Sequence, residues 1–127
     1  MAHILYTEPL TQREKLKILR VLDTSSHFEA TGCKNWTKEL TRDGYPVFRT
    51  TFRGKRMWVR AHRITYYIAH ECAPIEAAMH ISHICHNKSC VNPQHLNKET
   101  QNINNNRNIC KREGACHGHF GHPQCIL

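Results

Sequence analysis

The chain has 127 residues, of which 39% are hydrophobic, and its formal net charge is +8 at neutral pH. This length predicts one small domain, and the modest apolar content indicates that cross-links supplement its core. The positive charge favours a polyanionic partner, most simply nucleic acid, and the lack of an apolar run of about 18 residues excludes a membrane span.

Seven cysteines, an odd number, are present. No recognisable signal peptide precedes them, so they favour metal-binding thiolates in a reducing compartment over the disulfides of a secreted protein. We therefore expect an intracellular protein of the cytoplasm or nucleus, not a secreted one. Bound metal would supply the missing cross-links.

A helix is predicted near the start of the chain. Thr11 and Glu14 have the spacing of a capping box, and the apolar side chains that follow continue the helix to about Leu22. We interpret this helix as a packing or dimer contact rather than a DNA contact. A polar connector over residues 24–32 then leads to Cys33.

The most regular pattern in the sequence is a pair of strands over residues 47–53 and 56–60. Between them, Gly54-Lys55 forms a two-residue loop with glycine first, which is typical of a type II′ hairpin. This turn pairs Arg53 with Arg56. It places four apolar side chains on one face: Phe48, Phe52, Met57 and Val59. The opposite face is basic.

The basic face predicts contact with DNA. Residues 42–63 contain seven cationic residues and one acidic residue, so 7 minus 1 leaves +6 of the total +8 in this segment. A two-stranded ribbon fits the major groove, where arginine reads guanine and grips phosphate. The alternative is the solvated face of an ordinary sheet. The expected DNA-binding residues are Arg49, Thr51, Arg53, Lys55, Arg56, Trp58 and Arg60.

Two further elements are predicted beyond the ribbon. Residues 62–71 have apolar side chains at helical spacing, so a helix is expected against the apolar side of the ribbon. Cys72 follows and is interpreted as a small buried residue without a metal. Residues 78–84 alternate apolar and polar side chains, which predicts a strand that leads into a cysteine-rich loop.

A zinc site is predicted in that loop. Cys85, Cys90 and His95 are five residues apart and then five again, so one loop can place soft sulfur and imidazole ligands around a tetrahedral zinc. The fourth ligand has to come from elsewhere. Cys33 is the candidate because it is the only cysteine in the first 71 residues.

A second set of thiols lies near the end of the chain, at Cys110, Cys116 and Cys125. Three histidines, interleaved with these thiols, could complete a second zinc site: His117, His119 and His122. Between the two sets, residues 99–108 contain five asparagines and would form a poor helix by propensity. Zinc ligands at both ends could hold this segment helical.

Catalytic chemistry is expected between the two zinc sites. His83 lies two residues before Cys85, and an imidazole with an unperturbed pKa near 6.5 can take a proton from water at neutral pH. Asn104 offers a carbonyl oxygen to a hard cation such as Mg²⁺, leaving its other positions to phosphate and water. A structural role for His83 is the alternative.

The run over residues 82–125 closely resembles the His-Cys box homing endonucleases, a branch of the ββα-metal (HNH, His-Me finger) nucleases. The matching elements are Ser82-His83, Cys85, His86-Asn87, Cys90, Asn92-Pro93, His95-Leu96, Asn104, Arg107-Asn108 and Cys110. Upstream, the runs GCKNW, DGY and VRAHR are similar to zinc-bearing phage HNH endonucleases. Ordinary HNH enzymes carry Asp or His where Ser82 stands.

The resemblance implies an α+β fold: a small zinc-stabilised domain with an antiparallel β-ribbon and a ββα-metal (His-Me finger) catalytic motif. We expect one zinc-bound endonuclease domain over residues 1–127, in four segments. They are an N-terminal helix and connector (1–32), a DNA-binding ribbon and helix (33–72), the ββα-metal motif with the first zinc site (78–108) and a second zinc loop (110–125).

The resemblance also implies roles for individual residues. His83 matches the general base, Asn104 matches the ligand of the catalytic Mg²⁺, and Arg56 matches an arginine near the cleaved phosphate. The first structural zinc is held by Cys33, Cys85, Cys90 and His95. Cys110, Cys116 and Cys125 match ligands of the second, and among His117, His119 and His122 we choose His119 as its fourth ligand.

The expected function is that of a Mg²⁺-dependent endonuclease of double-stranded DNA, site-specific and of the homing type, with two structural zinc ions. The resemblance implies products with 5′-phosphate and 3′-hydroxyl ends. No membrane is expected as a partner, and a homodimer is left open. The alternative from another class is a catalytically inactive, zinc-stabilised DNA-binding module. An RNA-binding zinc protein is a more distant alternative.

Overall fold

The computed structural model describes residues 6–127, which form three α-helices and three two-stranded antiparallel sheets. The predicted α+β class is confirmed. The elements in chain order are α1 (Gln12–Thr24), β1 (Ser26–Phe28), β2 (Lys34–Trp36), β3 (Val47–Phe52), β4 (Lys55–Arg60), α2 (Ala61–Ala69), β5 (His80–His83), a 3-10 turn (Pro93–His95), β6 (Leu96–Glu99) and α3 (Gln101–Glu113). No helix of the described part is both long and apolar enough to span a membrane.

The first helix begins at the predicted capping box. The backbone N–H of Thr11 donates to Glu14 Oε1 at 2.8 Å, and the backbone N–H of Glu14 donates to Thr11 Oγ1 at 3.2 Å. The helix buries Ile18 and Leu22. The connector predicted over residues 24–32 is wrong in part, because β1 forms there by pairing with β2.

The hairpin turn differs from the predicted one. Phe52 pairs with Lys55, so the two loop residues are Arg53 and Gly54, and both have positive φ values, 51° and 81°. Positive φ at both positions is the signature of a type I′ turn, not the type II′ turn expected at Gly54-Lys55. Every cross-strand partner shifts by two residues. Because side chains alternate with a period of two, the faces of the paired residues are unchanged.

The shifted turn leaves two of the seven expected DNA-binding residues off the basic face. Arg53 lies in the turn, where its guanidinium contacts Glu8 at 2.6 Å and Glu14 at 3.1 Å, and these ion pairs hold it against the start of α1. Lys55 pairs with Phe52 and therefore shares the other face. The basic face keeps the other five predicted residues: Arg49, Thr51, Arg56, Trp58 and Arg60.

The core lies between the ribbon, α1 and α2. Helix α2 follows β4 directly, as predicted, and its residues Ala61, Ile64 and Tyr67 are fully buried. The predicted strand over residues 78–84 is shorter, at His80–His83, because it pairs only with the four residues of β6, a strand that the sequence did not predict.

Helix α3 forms despite its asparagines and extends five residues beyond the predicted end at residue 108. The hydroxyl of Thr100 accepts the backbone N–H of Ile103, and Gly114 ends the helix in the left-handed conformation. Arg107 and Cys110 are buried on its inner face. Caps and these two side chains therefore compensate for weak helix propensity.

We expect Thr11→Ala to lower the free energy of unfolding by about 1 kcal/mol, because it leaves a backbone N–H at the start of α1 without its cap. Urea unfolding with zinc present measures this change. Gln12→Ala, one residue further on and outside the cap, is the matched control. Equal stability of the two variants would contradict a role for the capping box.

Candidate functional site

A first metal cluster joins two distant parts of the chain. The ligand atoms of four side chains lie within 4.8 Å of one another: Cys33, Cys85, Cys90 and His95. The sulfurs of Cys33 and Cys90 each lie 3.6 Å from His95 Nδ1. Zn–S and Zn–N bonds of usual length at a tetrahedral angle separate sulfur and nitrogen by about 3.6 Å. These residues therefore fit a zinc ion.

A second cluster forms at the end of α3 from Cys110, Cys116, His119 and Cys125. His119 Nε2 lies 3.6 Å from the sulfur of Cys110 and 3.5 Å from that of Cys125, again the spacing of a tetrahedral zinc site. The other two candidate histidines have different partners. His117 contacts Glu113, and His122 Nδ1 lies 2.9 Å from the amide of Asn97.

Backbone N–H groups point at the cluster sulfurs. Cys90 Sγ accepts from Lys34 and Asn92 at 3.4 Å, and Cys116 Sγ accepts from Cys125 at 3.3 Å. Such bonds favour the charged thiolate. The bond from Cys125 is the largest cause that lowers the pKa of the Cys116 thiol to about 7. These two sulfurs therefore favour the deprotonated state in which cysteine binds metal.

His83 is held in one orientation at the end of β5. Its Nε2 lies 3.1 Å from the carbonyl oxygen of Cys90, a group that can only accept a hydrogen bond. Nε2 therefore carries the ring proton, and Nδ1 retains a lone pair. Burial is the largest cause that lowers the pKa of His83 to about 4, so the ring is neutral at pH 7.

Asn104 is held near His83 by a hydrogen bond from Ser82, the residue before His83. The hydroxyl of Ser82 donates to Asn104 Oδ1 at 3.0 Å. His83 and Asn104 both line an open cleft of about 500 Å³. The half-exposed amide oxygen has a second lone pair, and hard oxygen atoms of this kind are ligands for Mg²⁺. Asn104 therefore fits a cation site with one ligand from this chain.

The sequence profile of a family described as the zinc-binding loop region of homing endonuclease matches residues 29–126, which is more than half of the chain. The chain belongs to this family. Both metal clusters lie inside the matched range, and the predicted resemblance to His-Cys box homing endonucleases is confirmed. No match was found among curated proteins.

Arg56, which the resemblance placed near the cleaved phosphate, does not lie near His83 in the cleft. Arg56 is exposed near the ribbon turn and does not line the cleft, whereas Arg60 and Arg63 do. Arg60 also lies over the ring of Tyr45, 5.8 Å from its centroid. The VRAHR run contains both cleft arginines, but only the fold shows that they line the same cleft as His83.

Two aromatic neighbours of His83 were also missed by sequence reasoning. The rings of His62 and His83 have centroids 4.8 Å apart, and Tyr45 stacks on His62 at 5.5 Å. Burial is the largest cause that holds the pKa of His62 well below its usual value. A neutral aromatic wall therefore borders the imidazole of His83.

A buried ion pair connects the hairpin of β5 and β6 to α3. Arg107 Nε donates to both carboxylate oxygens of Glu99, at 3.0 and 2.8 Å, and the two side chains are 1% and 0% exposed. Burial opposes ionisation of Glu99, but hydrogen bonds from Arg107 and Asn97 outweigh it and lower its pKa. Nothing in the sequence pattern marked this pair.

We expect two zinc ions per chain, measured by mass spectrometry of the native protein. Cys85→Ser removes one ion and Cys116→Ser removes the other. Cys85→Ser also unfolds the domain, because a structural zinc supplies folding free energy on the order of 10 kcal/mol. Circular dichroism measures the loss.

Cys72→Ser is the matched control, because Cys72 lies outside both clusters and packs against the core. It should keep two zinc ions and the native spectrum. A Cys85→Ser protein with two zinc ions and native circular dichroism would contradict the first metal site.

Proposed function

We propose that this chain is a Mg²⁺-dependent endonuclease that hydrolyses double-stranded DNA at specific sites, as a homing endonuclease does. One observation carries the proposal: His83 from β5 and Asn104 from α3 line the same cleft and are connected through Ser82. A zinc-binding DNA module has no need of an oriented imidazole and an oriented amide oxygen in one cleft. The four predicted segments would act as one endonuclease domain.

His83 would be the general base. The carbonyl of Cys90 fixes the ring through Nε2, so the Nδ1 lone pair is available to take a proton from an attacking water molecule. Cys90 is also a ligand of the first metal cluster. The orientation of the base therefore depends on the folding of that cluster.

Asn104 would hold the catalytic cation through Oδ1. Bound there, Mg²⁺ would supply positive charge that stabilises the scissile phosphate and the 3′ leaving oxygen. The guanidinium groups of Arg60 and Arg63 add fixed positive charge along the same cleft. We propose Arg60 as the arginine nearest to the cleaved phosphate, and Arg56 as a phosphate contact further along the ribbon.

The basic face of the ribbon would dock in the major groove. Arg49 stacks on Trp58, 4.6 Å from the ring centroid, which orders its guanidinium on that face. Trp58 and Arg60 belong both to this face and to the lining of the cleft. The docking face and the cleft are therefore continuous, and DNA on the ribbon would reach His83. A homodimer would supply the second cleft needed to cut both strands.

We expect the wild-type protein with Mg²⁺ to nick or cut a plasmid library of randomised sites, followed on agarose gels. His83→Ala should reduce cleavage at least a hundredfold, because general bases of this kind contribute about 10²–10⁴-fold. Asn104→Ala should reduce it at least a hundredfold as well, because it removes the proposed ligand of the catalytic cation. Both variants should bind DNA and keep two zinc ions.

His80→Ala is the matched control, because His80 lies on the same strand and lines the same cleft without being assigned a chemical role. Wild-type binding without cleavage anywhere in the library would refute the enzyme and leave the DNA-binding module. Full cleavage by His83→Ala would refute the assigned base.

The double change of Arg49→Ala and Arg56→Ala should weaken DNA binding and reduce its salt dependence. The slope of log K against log[salt] should fall by about 2, because about one counterion is released for each phosphate contact. Fluorescence anisotropy with duplex DNA measures this slope. Lys55→Ala is the matched control on the opposite face, to be compared with the single change Arg56→Ala. If the two single changes altered the slope equally, the basic face of the ribbon would not be the DNA interface.

A further inference from the structure

The guanidinium of Arg107 joins three separate parts of the chain. Nε holds the carboxylate of Glu99 at the end of β6, Nη1 donates to the sulfur of Cys125 at 3.4 Å, and Nη2 donates to the carbonyl oxygen of Pro123 at 2.8 Å. Cys125 is a ligand of the second metal cluster. A single buried side chain therefore connects that cluster to the hairpin beneath the cleft.

Arg107 and Asn104 lie on the same helix, α3. The two residues are three positions apart on α3 and so share one face of the helix. Movement of Arg107 would move that face relative to β5, where Ser82 holds Asn104 Oδ1. The planar fork of arginine matters here, because the point charge of lysine cannot make all three contacts in fixed directions.

The hairpin side of the connection is equally ordered. Asn97 donates to Glu99 Oε1 at 2.7 Å and lies opposite Ser82 in the pairing of β5 with β6. Glu99 is fully buried, so its charge depends on these partners. Hydrogen bonds thus run from the sulfur of Cys125 through Arg107 and Glu99 to Asn97, and strand pairing places Asn97 opposite Ser82, which bonds to Asn104.

We propose that Arg107 and Ser82 are positioning residues for the cation ligand Asn104, and that Arg107 makes its placement depend on the second zinc centre. This inference rests on the proposed role of Asn104. The second zinc centre then does more than stabilise the fold: it sets how well the cleft holds a divalent cation. Ser82 acts locally on the amide, and Arg107 acts through the placement of α3.

The test measures cation affinity by two readouts. The first is the Mg²⁺ concentration that gives half-maximal plasmid cleavage. The second needs no activity: it is the affinity for Mn²⁺ of a complex between His83→Ala protein and duplex DNA, measured by electron paramagnetic resonance. The signal of the site is the part that disappears when Asn104→Ala is added to the same protein. Zinc content and thermal unfolding are measured on every variant.

Ser82→Ala should weaken both measures of cation affinity about tenfold, the effect of losing one hydrogen bond, while Ser82→Thr keeps the hydroxyl and should restore them to within about threefold. Arg107→Lys should weaken them similarly with unchanged DNA affinity. Arg112→Lys is the matched control, because Arg112 is exposed on the same helix.

Ser82→Ala and Arg107→Lys values equal to those of Arg112→Lys would overturn the inference. An Asn104→Ala change that removes no bound Mn²⁺ would also overturn it. If Arg107→Lys fails to fold, Ser82→Ala and Ser82→Thr decide the result. If Ser82→Ala and Arg107→Lys weaken Mn²⁺ binding but the wild-type protein never cleaves DNA, the positioning role is upheld and the nuclease is refuted. If the wild-type protein cleaves DNA and these variants keep its cation affinity, the positioning role alone is refuted.

Discussion

The first metal cluster is the constraint on which the rest of the structure depends. Cys33 has to meet Cys85, Cys90 and His95 across more than 50 residues of chain, so β2 is drawn against the loop that follows β5. A chain with 39% hydrophobic residues gains a cross-link where its apolar core is small. The same loop presents the carbonyl of Cys90 to His83. Stability and the orientation of the proposed base therefore come from one set of contacts.

The cleft is assembled from parts whose positions are fixed separately. The ribbon and α2 supply the arginines and the aromatic wall, the β5–β6 hairpin supplies His83, and α3 supplies Asn104. Buried Glu99 and Arg107 join the hairpin to α3. Stability alone does not explain this pair, because a buried ion pair often stabilises a fold no better than apolar side chains. An arrangement that holds a cation ligand in register gives this pair a function.

Local signals in the sequence predicted local structure well. The capping box at Thr11 and the apolar periodicity of α2 describe interactions within a few residues, and both elements are found. The spacing of the cysteines, together with the need of zinc for four ligands, was enough to assign six cysteines to two metal clusters. The ribbon faces survived an error in the turn, since a shift of two residues preserves alternation.

The features that the sequence did not reveal depend on distant contacts. The turn lies at Arg53-Gly54, where Arg53 binds Glu8 and Glu14, which are distant in sequence, and β1 and β6 are short strands that exist through their partners. Arg60 ends β4 and lines the cleft together with residues of β5 and α3 that are distant in sequence. The choice of His119 was resolved by where the final loop folds, with His122 drawn to Asn97 instead. Such contacts join residues that no short spacing relates.

The measurement that most directly tests the central claim is the chemistry of the product ends. DNA from the randomised-site library is treated with the protein and Mg²⁺ in water enriched in ¹⁸O, and the ends are analysed by mass spectrometry. Hydrolysis by a water molecule activated at His83 predicts ¹⁸O in a 5′-phosphate and an unlabelled 3′-hydroxyl. Ends that carry a 3′-phosphate, or 5′-phosphates without ¹⁸O, would contradict the proposed cleft chemistry.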